Sequence, residues 1–533
     1  MTLSARTIPL FLAGLAPLTS LAASPYPIAL DLPDDATVRQ ALQRLASRTS
    51  TALPRQGWPL TAREAQQFLQ TALAKDSSAL TAGDSAALRD LLQGPMELKR
   101  WSEGIGGSLL AINARAGGEI VHDDSIGSHT TKLGWLGGRA YGQVGGELWF
   151  YSDARIFTQV SNRREYHDFY ALADGETSGV PLDENAPGGM YGTRTGARYS
   201  AWVQWSRDWI TLKYGRDRIQ HGPGVWTGLT TSWQVPPWQM LDIRLTPFSW
   251  LTIQSSTLEA RQAGALGGLY YPGDTRKWLH VHRFEIQPAD GLALAFQNEV
   301  LYKDSSGINP AYLLPLVPIF FSQDLDGNRD NAMMQFDATW SSRWGAKLWG
   351  AFLIDDMNGL SDIAGSNWLN RWASLVGGQI LSPWKTIDAD LTVEFSLIRP
   401  WTYTGGREEA YTFSHYGLAT GSELGPDSRT LHARLAWRPA PRWELGLEGA
   451  QLEKGIGPQA TLGTVNGHWG GFYGEGATLQ WASTTRRSIG LDACVELWRD
   501  ASAKIGLTHW SQESDSLGSS DWWQLKATGS VDW

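Results

Sequence analysis

The sequence predicts an all-β transmembrane protein, an antiparallel barrel of roughly 18 strands preceded by a small helical element. Three observations predict it. Read back from Trp533 in steps of two, one face of the last segment carries Trp533, Val531, Gly529, Ala527, Leu525 and Trp523, and the other carries Asp532, Ser530, Thr528, Lys526 and Gln524. Such alternation is a strand with one apolar and one wet face, long enough for the roughly 9–11 residues a tilted strand needs to cross a bilayer. No segment beyond the N-terminus has the unbroken apolar run of a membrane helix. Mean hydropathy is only -0.28, yet the 533 residues include 28 Trp and 58 Gly. A barrel dilutes its apolar signal in this way, because every second residue faces water.

Residues 1–22 read as a cleavable signal peptide. Arg6 supplies the positive region, Ile8 to Leu21 the apolar core, and Ser20-Leu21-Ala22 the small residues that a signal peptidase reads. This segment holds one basic and no acidic residue, so cleavage moves the formal net charge from -9 to -10.

Residues 23–100 are helical in period. Val38, Leu42 and Leu45 repeat at helical spacing behind Asp34 and Asp35. Thr61-Ala-Arg-Glu64 is a capping box, followed by Ala65, Phe68, Leu69, Ala72 and Leu73 on one face. A third short helix is expected to start at Asp84 and run through Leu88, Leu91 and Leu92. Three such helices bury their apolar stripes by packing on each other and on the periplasmic mouth of a barrel, as a plug.

From about residue 101 to 533 the period is two. Phe336, Ala338 and Trp340 alternate with Gln335, Asp337 and Thr339; Leu431, Ala433, Leu435 and Trp437 alternate with His432, Arg434 and Ala436; Leu445, Leu447 and Gly449 alternate with Glu444, Gly446 and Glu448. The polar sets suit a lumen, so Asp337, Glu394, Arg283 and Arg434 are expected to point inward and pair. The bare aromatic at the C-terminus resembles the closing strand of bacterial outer-membrane barrels, which makes outer-membrane lipid and the barrel-assembly machinery the expected partners in biogenesis.

Tight turns set the topology. Trp205-Ser-Arg-Asp-Trp209, Trp340-Ser-Ser-Arg-Trp344 and Trp437-Arg-Pro-Ala-Pro-Arg-Trp443 share flanking Trp and an internal Arg. Short turns sit on the periplasmic side, with their Trp in the interfacial girdle. Long extracellular connections then fall near 215–240, 259–277, 303–331, 355–371, 399–429 and 453–473. One count does not close. Trp498-Arg-Asp also reads as periplasmic, which demands an even number of strands between 454 and 487, where the pattern offers one.

Mild acidity without a basic stripe excludes a nucleic-acid partner. The single Cys494 excludes an intramolecular disulfide framework and a Cys-rich metal site. No Gly-x-Ser-x-Gly, P-loop or His-Glu-x-x-His occurs, so no enzyme activity and no cofactor are expected. His280 and His282 share a strand face, where a two-ligand metal site competes with a structural role. Asp324, Asp326, Asn328 and Asp330 alternate in an acidic loop and offer oxygens to Ca²⁺, although the Gly and distal Glu of an EF-hand loop are missing.

The long loops carry a family pattern. Lys213-Tyr-Gly-Arg216, His221-Gly-Pro-Gly224, Arg283-Phe-Glu285, Glu299-Val-Leu-Tyr302 and Asn309-Pro-Ala-Tyr-Leu-Leu-Pro315 occur in order. They are followed by Asp324–Asn331, Arg399-Pro-Trp-Thr-Tyr403, His415-Tyr-Gly417 and Leu424-Gly-Pro-Asp427. Together they resemble the Wzi-type capsule assembly family. The resemblance implies a closed outer-membrane barrel that acts as a surface lectin, attaching or organising capsular or extracellular polysaccharide without catalysis. His221 departs from the Trp expected before Gly-Pro-Gly.

Sugar recognition needs flat apolar faces and planar polar groups. Loop 399–429 supplies Trp401, Tyr403, Tyr411, Phe413, His415 and Tyr416 beside Arg399, Arg407, Glu408 and Glu409, and loop 355–371 adds Trp368, Asp355, Asp356 and Asn367. The competing reading is loop self-packing, since long loops must bury something to stay ordered. Arg216 and Arg399 suit an acidic polymer through bidentate pairing, or else pair with Asp337 or Glu394 in the lumen. A diffusion porin or substrate-specific channel is the alternative function, and simple porins lack the helical segment.

Overall fold

The computed structural model describes residues 36–56, 58–88, 91, 99–101, 108–124, 128–145, 147–161, 193–207, 209–233, 235–260, 277–303, 308–313, 330–342, 344–356, 370–381, 387–404, 411–415, 418–422, 424–455, 483–498, 501–515 and 518–532. The signal-peptide segment and the terminal Trp533 lie outside them.

Helix α1 spans Ala36–Thr49, α2 Ala62–Lys75 and α3 Ala82–Ala87. The capping box forms as the sequence dictates: Glu64 N donates to Thr61 Oγ1 at 3.1 Å and Thr61 N donates to Glu64 Oε2 at 2.6 Å. The third helix starts earlier than expected, because Thr81 caps it. Asp84 N donates to Thr81 Oγ1 at 3.1 Å, and the Thr81 hydroxyl lies 2.9 Å from Asp84 Oδ2, to which it donates in its turn.

A short strand β1 (Lys99–Trp101) precedes β2 (Leu109–Asp123), β3 (His129–Val144), β4 (Leu148–Ser161), β5 (Thr193–Arg207), β6 (Ile210–Asp217), β7 (Trp238–Phe248), β8 (Leu251–Ala260), β9 (Lys277–Ala289) and β10 (Leu292–Lys303). Then follow β11 (Asn331–Ser341), β12 (Ala346–Asp356), β13 (Arg371–Leu381), β14 (Ala389–Ile398), a small hairpin of β15 (Ser414–His415) and β16 (Leu418–Ala419), β17 (Ser428–Ala440), β18 (Trp443–Gly455), β19 (Ser483–Trp498), β20 (Ala501–Ser514) and β21 (Gly518–Asp532). Strands β2–β14 and β17–β21 pair with their neighbours in sequence, all antiparallel, and β21 closes on β2 from Gln524↔Asp123 to Asp532↔Arg115. The barrel therefore has 18 strands, as the sequence predicts. Beyond Arg115 the edge of β2 is left by β21, and β1 takes it over through Leu110–Ile112. Closure leaves no long free edge to template aggregation.

Strand β18 pairs directly with β19. No strand of the sheet stands between them, which corrects the strand read between 454 and 487 and restores parity. A further long connection, 162–192, joins β4 to β5.

The outward register is the apolar one. Leu136, Ile156 and Leu491 are 69%, 70% and 64% exposed, which in water would be an aggregation surface and in lipid is the belt. Trp209, Trp250, Trp340, Trp344, Trp437 and Trp443 are all exposed and cluster at the tight-turn end, forming the expected girdle. Adjacent residues of β21 allow a direct test of the faces. Leu525→Arg puts a cation in the belt at a cost of up to about 2–4 kcal/mol, and should abolish heat-modifiable gel migration. Gln524→Arg points into the lumen and should leave migration intact. The opposite pattern would mean the faces are reversed.

Candidate functional site

The lumen is filled from both ends. From the tight-turn end, α1 lies against the inner wall, where Arg44 Nε reaches Asp84 Oδ1 at 2.7 Å and Arg44 Nη1 reaches Asp390 Oδ2 of β14 at 3.7 Å. Arg48 also pairs with Asp84, and with Asp388 at 3.2 Å. Burial disfavours the Asp84 carboxylate, but Arg44 and Arg48 outweigh it and hold the group below the usual carboxylate range. Leu42, Leu45, Phe68 and Leu69 pack with the inward Tyr141, Trp149, Tyr151 and Trp202 of β3–β5 into one apolar core. The chain after α1 reaches β9: Gln56 N donates to Glu285 Oε1 at 2.5 Å, and Gln56 Oε1 accepts from Arg283 Nη2 at 3.2 Å.

From the opposite end, the β6–β7 connection 218–237 dips inside. Glu394 of β14 anchors it. One carboxylate accepts the backbone N–H groups of Val225 (2.7 Å), Trp226 (2.9 Å) and Thr227 (2.9 Å) and the indole N–H of Trp349 (2.9 Å). Trp349 reaches it lying flat on the wall at Gly377, where an added Cβ would sit 2.2 Å from the ring. Thr230 Oγ1 accepts from inward Gln297 Nε2 at 2.9 Å. His221 is fully enclosed, with Nδ1 2.9 Å from Thr231 Oγ1. Burial and the nearby Arg283 and Arg55 hold its imidazole well below the ordinary value, so it is neutral.

The two plugs join. Trp58 and Gln220 exchange both backbone hydrogen bonds, at 2.9 and 3.0 Å, and Arg39 sits 5.4 Å over the Trp233 ring. Above this bridge, Leu229, Trp238, Leu258, Leu301, Tyr403 and Phe413 form a second apolar core inside the barrel mouth. A lumen core of this kind is foreign to an open pore.

The loop aromatics divide sharply. Tyr403 is fully buried, donating its hydroxyl to Leu229 O at 2.8 Å while its own N–H donates to Asp355 Oδ2 at 2.8 Å. His415 is stacked 4.0 Å from Trp238 and is also buried. Tyr411 offers its carbonyl to Asn331 Nδ2 at 2.9 Å. For Tyr403, His415 and Phe413 self-packing is the observed outcome, which corrects their reading as open stacking platforms. Trp401 stays partly exposed, with φ +65, and Tyr403 has φ +72. Left-handed conformations at non-glycine residues cost about 1 kcal/mol or more and persist where the surroundings hold them. Arg399 lies beside Trp401, its guanidinium 5.8 Å over the Trp372 ring. Arg407, Tyr416, Trp368, Glu408, Glu409, Asn367 and the acidic positions Asp324, Asp326 and Asn328 lie outside the described residues. Asp330 is described, and accepts from Tyr312 Oη at 2.6 Å.

Arg216 is not a lumen residue. It is paired in register with outward Ala201, and its guanidinium lies 5.0 Å over exposed Tyr199. Neither Asp337 nor Glu394 is its partner: Asp337 pairs with Arg283, and Glu394 holds the loop. Asp337, Glu394, Arg283 and Arg434 do face inward as expected, Arg434 meeting Asp492 at 2.6 Å and Glu448 at 3.1 Å.

His280 and His282 face outward, their Nε2 atoms 3.0 Å apart, with Thr257 Oγ1 2.7 Å from His280 Nδ1. They are nonetheless buried, because the turn Pro310–Tyr312 folds down the outer wall and Tyr312 packs with Trp278, Val300 and Tyr302. Among the described residues no cluster of three or more metal-ligating side chains occurs.

The remaining wall is different. On β2–β5 and β18–β21 the lumen-facing side chains away from the plug are partly exposed. They form charge pairs such as Arg115–Asp532 at 2.7 Å, Lys526–Glu119 at 3.1 Å and Lys504–Asp492 at 3.6 Å. The fold and its lumen therefore define a large membrane-type barrel, plugged along one wall and wet along the other.

Solved structures share this architecture. The chain is similar in fold to Wzi, an Escherichia coli outer-membrane protein involved in group 1 capsule assembly and described as a carbohydrate-binding β-barrel. The TM-score is 0.60 at 14% identity, covering 94% of this chain and 98% of that one. Weaker likeness extends to two Pseudomonas aeruginosa proteins. These are the outer-membrane protein OprD (TM-score 0.44, 10% identity, 80% and 93% covered) and OpdK with vanillate (0.43, 9%, 80% and 99%). No family model matches the chain, and no curated protein matches it in sequence.

Proposed function

We propose that this protein is an outer-membrane lectin that binds and anchors or organises capsular or extracellular polysaccharide at the cell surface, and that it catalyses no reaction. The observation that carries this reading is the Trp58–Gln220 bridge, where a plug from one end meets a folded-in loop from the other. A barrel built for diffusion keeps a continuous aqueous lumen, and this one spends two segments on obstructing it. The ordered Wzi-like motifs and the shared fold with a carbohydrate-binding barrel support the same reading. Partly exposed Trp401 is placed to meet a polymer, whereas Arg399 beside it is buried, 8% exposed. Trp401→Ala should lower cell-associated polysaccharide at matched barrel abundance, through loss of a contact worth about 1 kcal/mol.

A second reading, a substrate-specific channel, rests on the wet wall with its charge pairs. Planar-bilayer recording of the purified protein separates the two. The lectin reading expects no steady open-channel current, and sustained large conductance would favour the channel.

A further inference from the structure

The outward Trp residues are explained by the lipid interface, but not every Trp faces out. In β20 and β21, His509 and Trp523 pack as a tilted pair on the outer surface with ring centroids 4.8 Å apart, so their neighbours Trp510 and Trp522 face the lumen. These two are register partners, with near-parallel rings (10°) and centroids 6.1 Å apart. Both lie within a few residues of the β20–β21 turn, at the end of the barrel opposite the Trp girdle. They cannot serve that girdle. Nor do they serve the plug: the inward Trp149, Trp202, Trp238 and Trp349 are 0–5% exposed beneath it, whereas Trp510 and Trp522 stay partly exposed on the wet wall. Arg486 of β19 completes the group. It donates to Gln512 Oε1, and its guanidinium lies 5.6 Å from the Trp522 ring centroid.

Two indole faces on a water-filled wall suit the C–H face of a pyranose. The planar Arg486 cation held over the Trp522 ring suits a carboxylate, and the Gln512 amide a hydroxyl. We propose that Trp510, Trp522, Arg486 and Gln512 form an inner-rim site that binds an acidic polysaccharide strand inside the barrel mouth rather than on the outer loops. This rests on the polysaccharide reading above and gives it a location and a charge.

The test uses the full-length protein in detergent and, as probe, polysaccharide extracted from the producing cells and sheared to short oligomers. Trp510→Ala and Trp522→Ala should each weaken binding about three- to tenfold, the range expected of one aromatic contact. Trp522→Phe should retain most of it, and Arg486→Gln should weaken it in a salt-sensitive way. Heat-modifiable migration verifies folding. Should the Ala variants misfold, hydroxyl-radical footprinting of the wild type decides, because bound oligomer must protect Trp510 and Trp522 from oxidation. Wild-type binding with undiminished affinity in the folded double Ala variant, or with no protection of either Trp, overturns the inner-rim site and leaves the lectin reading standing. Binding indifferent to salt and to Arg486→Gln overturns the acidic assignment. No wild-type binding at all overturns the lectin reading itself, and this site with it.

Discussion

Replacing Glu394 by alanine is expected to open the lumen. Its carboxylate satisfies three consecutive backbone N–H groups and the Trp349 indole in a buried setting. Each buried donor left without a partner costs about 1–3 kcal/mol, and four donors share this one acceptor. The cost falls on how loop 218–237 is seated and not on the strand ladder, so the barrel should persist while the loop leaves the wall. Bilayer recordings should show conductance absent from wild type, with normal heat-modifiable migration. Glu394→Gln keeps one carbonyl acceptor and should give an intermediate phenotype. A folded Glu394→Ala protein as silent as wild type would show that the N-terminal plug alone seals the barrel.

The second large effect is expected at Asp84. It is fully buried between Arg44 and Arg48. Asp84→Asn leaves Arg44 to its longer contact with Asp390 and Arg48 to Asp388, and breaking a buried pair in this way costs up to about 3–5 kcal/mol. The helical plug should then become protease-sensitive within an intact barrel. The same group sets a pH dependence. Its folded pKa lies below the ordinary carboxylate value, so its contribution is fully present above that value and is lost as pH falls through the folded pKa. Protease sensitivity of the wild-type plug should therefore rise on acidification, while the Asp84→Asn plug, already loosened, should respond less. Equal acid responses in the two proteins would remove Asp84 from the account.

What was legible in the sequence follows from period. Leu431, Leu435 and Trp437 show their outward face because lipid accepts only apolar side chains there, and the capping box at Thr61 is a local contract between two side chains and two amides. Glu394 was legible as inward but not as an anchor, since its three backbone donors lie 167–169 residues away in sequence. Loop aromatics are ambiguous for a related reason. A buried Tyr403 and a partly exposed Trp401 sit two residues apart with the same composition around them, and only the neighbouring elements decide which is covered. The outward His280 and Thr257 break the belt rule because a distant turn replaces lipid over them. Trp522 did carry a signal, lying two residues before Gln524 in the wet register, where a membrane girdle has no use for it.

Cell-surface retention of polymer tests the central claim most directly. In cells that lack this protein, polysaccharide should still be made but should pass from the cell-associated fraction to the medium, and re-expression of the wild type should restore it. Unchanged partition between bound and released polymer in the deletion strain would contradict the lectin account and favour a channel.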